Sequence, residues 1–204
     1  MKVTDAKEVG AVPVGSRRTG GRSARVRQAV LEGALVELCE AGYANFSVGN
    51  VARRADVHES TIYRRWPRRE DLIVDASMQF ADSNLPVPDT GRLVSDLRSV
   101  LSNIVKLMET PIGQALIALA YASRTVPEFG AANSALWRTR MTIGQQVFER
   151  AIARGEWPAD YDRAEAFGEL VGPIMARYFL LQETITPAII EARIEALLAL
   201  GRRQ

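Results

Sequence analysis

Apolar residues recur at spacings of three and four along almost the whole length of this chain, and prolines fall between the periodic runs. That spacing marks helices with one buried stripe. Proline cannot continue such a helix and pushes the residue before it out of the helical region. Val30, Leu31, Ala34, Leu35 and Leu38 form one stripe, in a helix expected over residues 23–41, and Gly42 is placed to end it in the left-handed conformation. Further helices are expected near 69–83, 92–109, 111–123, 127–154, 162–182 and 187–202. Pro86, Pro88, Pro111, Pro127, Pro158 and Pro187 punctuate the joins. No segment keeps a period-two alternation, so the fold class expected is all-α, without a sheet.

A shorter pattern lies between the first helix and the rest. Ser47 is a good N-cap for a helix over Val48–Ala55, whose Val48, Val51, Ala52 and Ala55 are small enough to let another helix approach. A brief turn at Asp56–Val57 leads into a third helix over 58–66, which Pro67 stops. Two short helices joined by a tight turn behind a longer one make the helix-turn-helix plan, whose second helix fits a DNA major groove. Ile62 and Trp66, four apart, are expected to face inward with Val57. The opposite face then carries Glu59, Ser60, Tyr63 and Arg64. Charge points the same way. From Ser16 to Arg69 there are eleven arginines against five acids, a local excess of six on a chain whose net charge is only +2. A basic front half is the electrostatic footprint of a polyanion partner.

Other classes find little support. The single cysteine, Cys39, forbids an internal disulfide and sits beside Leu35 and Leu38, where a small buried apolar role is expected. The single histidine, His58, has no companion at ligand spacing, so neither a metal site nor a cofactor is expected. There is no glycine-rich phosphate loop and no nucleophile motif, so an enzyme is not expected. No apolar run approaches the roughly 18 residues of a membrane span, and the first 25 residues lack a signal-type core. No membrane partner is therefore expected, and the cytoplasm is the expected location.

Residues 25–75 resemble the DNA-binding region of the tetracycline-repressor (TetR) family of transcriptional regulators. The stretches VLEGALVELCEAGYANFSVGNVARRADV and STIYRRWPRREDLI carry the likeness, and RAEAFGELVGPIMARYFLLQETITPAIIEARIEALLALG looks like the last two helices of one branch of that family. The resemblance implies about nine helices, a homodimer, and a small-molecule pocket in the C-terminal domain. Glycines, Pro13 and the lack of an apolar period mark a disordered basic arm (1–22, with Arg17, Arg18 and Arg22), ahead of an expected three-helix DNA-binding domain (23–68) and a ligand-binding and dimerisation domain (69–204). DNA-contacting positions carry over onto Ser47, Glu59, Ser60, Thr61, Tyr63, Arg64 and Arg69. Tyr63 and Thr61 offer hydroxyls to phosphate oxygens. Arg64 suits either guanine or phosphate. Glu59 suits either cytosine or the stabilisation of a helix N-terminus. Two positions depart from the family pattern: Asp56 stands where glycine is usual, and His58 where a serine cap is usual. The expected function is a sequence-specific DNA-binding regulator, a repressor released from a palindromic operator by its ligand. The alternative is a helical adaptor that binds protein only.

The helices near 162–182 and 187–202 carry more apolar residues than one face needs, among them Ile190, Ile194, Leu197 and Leu198. Two such helices from each subunit can form an intersubunit four-helix bundle. Met108, Tyr121, Trp137, Met141, Phe148, Phe167, Met175 and Tyr178, with Leu107 and Leu119, can line a pocket for a largely apolar ligand. The same residues would serve equally as plain core. Arg138, Arg140 and Arg177 are free to meet an acidic ligand or solvent.

Overall fold

A computed structural model describes residues 20–122, 124 and 127–202. Among the described residues there are ten helices and no strand: α1 (Gly20–Ala41), α2 (Val48–Arg54), α3 (Glu59–Tyr63), α4 (Arg69–Asn84), α5 (Leu93–Met108), α6 (Pro111–Ala122), α7 (Pro127–Gly144), α8 (Gln146–Ala153), α9 (Arg163–Phe179) and α10 (Pro187–Gly201). The fold is all-α, as the periodicity requires. No helix of the described residues is long and apolar enough to cross a membrane. Arg17 and Arg18 of the expected basic arm lie outside the described residues, whereas Arg22 falls within α1, which begins earlier than residue 23.

Two boundaries differ from expectation for identifiable reasons. The helix expected over 127–154 breaks at Gln145, giving ten helices where about nine are expected. Gly144 precedes the break, and a Cβ there would come within 2.2 Å of the Phe167 ring. The bare backbone lets Phe167 pack against the joint, and glycine also weakens a helix interior. The third helix spans only Glu59–Tyr63 rather than 58–66. His58 provides no side-chain cap, and hydrogen bonds from the Arg65 and Trp66 N–H groups to the Ile62 carbonyl, both 2.9 Å, close a last turn before Pro67.

Two apolar clusters organise the molecule. One collects Val30, Leu31 and Ala34 of α1, Val51 of α2, Ile62, Trp66, and Leu72, Ile73 and Ala76 of α4, and is completed by Leu116 and Leu119 of α6. The other joins Leu97 and Leu101 of α5, Phe148 of α8, Leu170 and Ile174 of α9, and Ile194 and Leu197 of α10. A chain of tilted rings, Phe148–Trp157–Tyr161, with centroids 5.1 and 5.2 Å apart, sits within this second cluster. α4 starts at the expected division near residue 69, yet its first half completes the core of the N-terminal head. Its second half, at Ser77 and Ala81, reaches a cavity in the larger unit. One rigid helix thus touches both.

Candidate nucleic-acid interface and neighbouring cavity

The turn between α2 and α3 is built by Asp56, whose φ of 52° lies in the left-handed region. With it there, the Val57 N–H reaches the Ala52 carbonyl (3.0 Å) and the Asp56 N–H the Arg53 carbonyl (3.4 Å), which closes α2 with the paired hydrogen bonds of a Schellman motif. Val57 is thereby tucked half-buried against the head core. At the other end of α2, the Ser47 hydroxyl oxygen accepts from the Asn50 N–H at 3.3 Å. Glu37 of α1, only 1% exposed, holds this end. Its Oε1 accepts from the Asn50 side-chain amide (2.7 Å) and the Ser47 N–H (3.4 Å), and its Oε2 lies 3.6 Å from Arg54 Nε. In the sequence Glu37 registers only as charge. Its signal was positional, because it stands on the buried stripe, three residues after Ala34 and seven after Val30.

α3 is fastened through its inward face. Ile62 and Trp66 are buried, and the Trp66 indole N–H donates to Asp75 Oδ2 on α4 at 2.9 Å. Asp75 Oδ1 receives Arg27 of α1 at 2.6 Å. One carboxylate therefore ties together α1, α4 and the turn that follows α3. Outward, Glu59, Ser60, Tyr63 and Arg64 are exposed, Thr61 is half-buried, and Tyr63 is 45% exposed despite its large ring. Arg64 makes no side-chain hydrogen bond or ion pair among the described residues, so its full fork of donors faces solvent. The Arg65 guanidinium lies 5.4 Å over the Trp66 ring. Glu59 is placed differently from its neighbours. Its carboxylate lies against the first turn of α2, where a Cβ on Gly49 would be 2.9 Å from Glu59 Oε1.

Arg69 opens α4 inside a small polar cluster. Its Nε donates to Glu70 Oε1 at 2.9 Å, its guanidinium lies 4.8 Å over the Tyr43 ring, and the Tyr43 hydroxyl donates to the same Glu70 oxygen at 3.1 Å. Burial pushes the Glu70 carboxyl up, but a backbone N–H with Arg69 and Tyr43 outweighs it and holds the group below its ordinary range. The cluster fixes a partly exposed guanidinium at the start of α4. Arg53 and Arg54 are occupied at the surface, the first with Asn50 and the second with Glu40 and Glu37.

A cavity of about 140 Å³ lies among α4, α5, α6, α7 and α9. Of the eight residues picked out as candidate lining, five border it: Met108, Trp137, Met141, Phe167 and Met175. Three do not. Tyr121 is 60% exposed, because α6 turns Leu116 and Leu119 inward and Tyr121 projects from the other side. Phe148 is fully buried in the second core against Trp157. Tyr178 spends its hydroxyl on the Met108 carbonyl at 3.0 Å, closing the end of α5. Leu107 borders the cavity, while Leu119 belongs to the head core. Of the three arginines, Arg140 borders the cavity, Arg138 is exposed, and Arg177 pairs with Glu183 at 2.8 Å. Ser77 and Ala81 of α4 and Asn103 of α5 also border it. Small or polar residues of this kind give no aromatic or methionine signal in sequence.

Residues 30–76 match the profile of bacterial regulatory proteins of the tetR family, and residues 87–197 match the tetracyclin repressor-like C-terminal domain. The chain is 34% identical over 146 residues to the HTH-type transcriptional regulator AqdR of Rhodococcus erythropolis, covering 72% of this chain and 70% of that one. It is 33% identical over 142 residues to the DNA-binding transcriptional repressor TetR of Mycobacteroides abscessus, covering 66% and 72%. Among solved structures, the TetR family transcription regulator SCO0332 superposes with a TM-score of 0.75 at 27% identity, covering 86% of this chain and 97% of that one.

Proposed function

This chain belongs to the tetracycline-repressor family of helix-turn-helix transcriptional regulators, and on that footing we propose that it is a cytoplasmic homodimeric repressor released from a palindromic operator by a small, largely apolar ligand. The observation that carries the reading is the outward face of α3. Ser60, Tyr63 and Arg64 stand exposed on a helix whose other face is pinned by Ile62, Trp66 and Asp75. Tyr63 and Thr61 offer hydroxyls to phosphate, Arg64 a bidentate fork to guanine or phosphate, and Arg69 a partly exposed guanidinium at the start of α4. Ser47, at the start of α2, adds a hydroxyl near the same backbone. For Glu59 we favour support of the α2 N-terminus over base reading, because its carboxylate lies against that first turn.

Dimerisation is assigned to α9 and α10. α9 exposes Gly172 and Ala176 four residues apart, with Leu180 at its C-cap next in the same row, and α10 exposes Ala188, Ala192 and Ala196 at the same spacing. Small residues in a row let a second copy approach closely, and Leu180, 72% exposed, is an apolar surface without cover in one subunit. Selection of duplexes from a random pool tests the reading. Enriched sequences should be palindromic, with half-sites about one helical turn apart. No enrichment by the folded protein would overturn it.

A further inference from the structure

Resting on the ligand reading above, we propose that the cavity takes an apolar compound ending in a hydrogen-bond-accepting, preferably anionic, oxygen, which Trp137 and Arg140 receive together. The lining is apolar except at a few points. Among the described residues Arg140 is the one charged residue of the lining, and no acid borders it. A cation would meet like charge there and no partner, whereas an anion meets a guanidinium in surroundings of low polarity. Trp137 supplies the second observation. Its indole N–H is buried and has no acceptor among the described residues, although it borders the same cavity. A buried donor left unpaired is costly, and an arriving acceptor would relieve it. Trp137 and Arg140 stand three residues apart on α7, so they share one face and can converge on one oxygen. Met108, Met141 and Phe167 offer the adaptable apolar bed for the remainder of the molecule.

Arg140 also gives such a ligand a route to α4. Its Nη1 lies 3.0 Å from Asp82 near the end of α4, and its Nη2 donates to the Leu85 carbonyl at 2.8 Å, at the α4 C-cap. An anion in the cavity competes with both for one guanidinium. Occupancy therefore loosens the end of the helix whose beginning holds α3 through Asp75 and Trp66. That competition is the differential contact a population shift needs.

Anilinonaphthalene sulfonate and its uncharged parent, phenylnaphthylamine, separate the acceptor from the apolar body. Equilibrium fluorescence titration of the full chain with each probe gives an affinity ratio. Trp137→Phe keeps the ring and removes the donor; Arg140→Met removes the charge. Each should lower the sulfonate-to-amine affinity ratio about tenfold, the scale of one hydrogen bond to a charged group. The sulfonate should also weaken binding of a selected duplex by wild type but not by Arg140→Met. An unchanged ratio in both variants overturns the proposal, as does binding of neither probe by wild type. The titrations need no DNA. Loss of duplex binding by wild type would instead overturn the repressor reading and leave the ratio to decide the ligand chemistry.

Discussion

Tyr63 and Thr61 carry hydroxyls on the side of α3 turned from the core, and neither contributes to the buried cluster of the head. Removing both, as Tyr63→Phe with Thr61→Val, should leave the fold intact and lower affinity for every duplex alike, by about tenfold or more if each makes one phosphate hydrogen bond. Gel shifts with specific and scrambled duplexes check this; unchanged affinity for both would exclude the phosphate roles. Glu70 makes a different kind of residue-scale prediction. Its folded carboxyl is held below the ordinary value of 4.5, so the stability it contributes is fully present above that value and is lost as pH falls through the lower folded one. Glu70→Gln should therefore destabilise the protein by about 1 kcal/mol near neutrality, and the gap should close in acid. Denaturant titrations at the two pH extremes measure it, and a gap independent of pH would rule out the ionised carboxylate as its source. Cys39 is inert by the same logic, since burial first, and then Glu40, push its thiol up.

At the scale of elements, two joints depend on backbone that most residues cannot supply. Asp56 occupies left-handed space that costs a branched side chain about 1–2 kcal/mol more than glycine or asparagine-like residues. Between α5 and α6, the Gly113 N–H donates to the Thr110 hydroxyl oxygen at 3.0 Å, and a Cβ at Gly113 would fall 1.9 Å from the Leu107 carbonyl oxygen. A backbone oxygen cannot swing aside as a side chain can. Gly113→Ala should therefore push α6 away from α5, distort the cavity that both border, and lower the melting temperature by several degrees, about the effect of 1–3 kcal/mol of overpacking. A melting curve identical to wild type would mean that α6 slides freely on α5.

For the whole molecule, the surfaces left on α9 and α10 matter as much as those buried. Ile190, Ile194 and Leu197 face the second core, while Ala188, Ala192 and Ala196 face out. A charge among the alanines should leave the subunit folded and separate the copies. Ala192→Glu with Ala176→Glu is expected to sediment as a monomer with unchanged helix content, and to bind a palindrome far more weakly because its two half-sites are no longer engaged together. A variant that stays dimeric would move the interface elsewhere. α4 is the element through which the proposed ligand would act on the DNA-binding head. α4 contributes Leu72 and Ile73 to the head core and Ser77 and Ala81 to the cavity wall. On the proposed reading, a change at Asp82 would reach Asp75 along this one helix.

Local chemistry made much of this legible in the sequence. The stripe from Val30 to Leu38, the Ser47 cap and the inward pair Ile62 and Trp66 follow from periodicity and from what short polar residues do to a helix, and those forces act within a few residues. The all-α class and the outward face of α3 follow from them too. Partners distant in sequence did not. Glu37 supports α2, Asp75 links α1 to Trp66, and α6 completes the head core, and none of these pairings leaves a periodic trace. The cavity was the least legible feature. Met108, Trp137, Met141, Phe167 and Met175 border it while Tyr121, Phe148 and Tyr178 do not, although all eight are large and sit on helices. Which of them meets a void and which meets a neighbour depends on how five helices are rotated against one another. Packing over the whole chain sets that rotation, and it is not encoded in any one stretch.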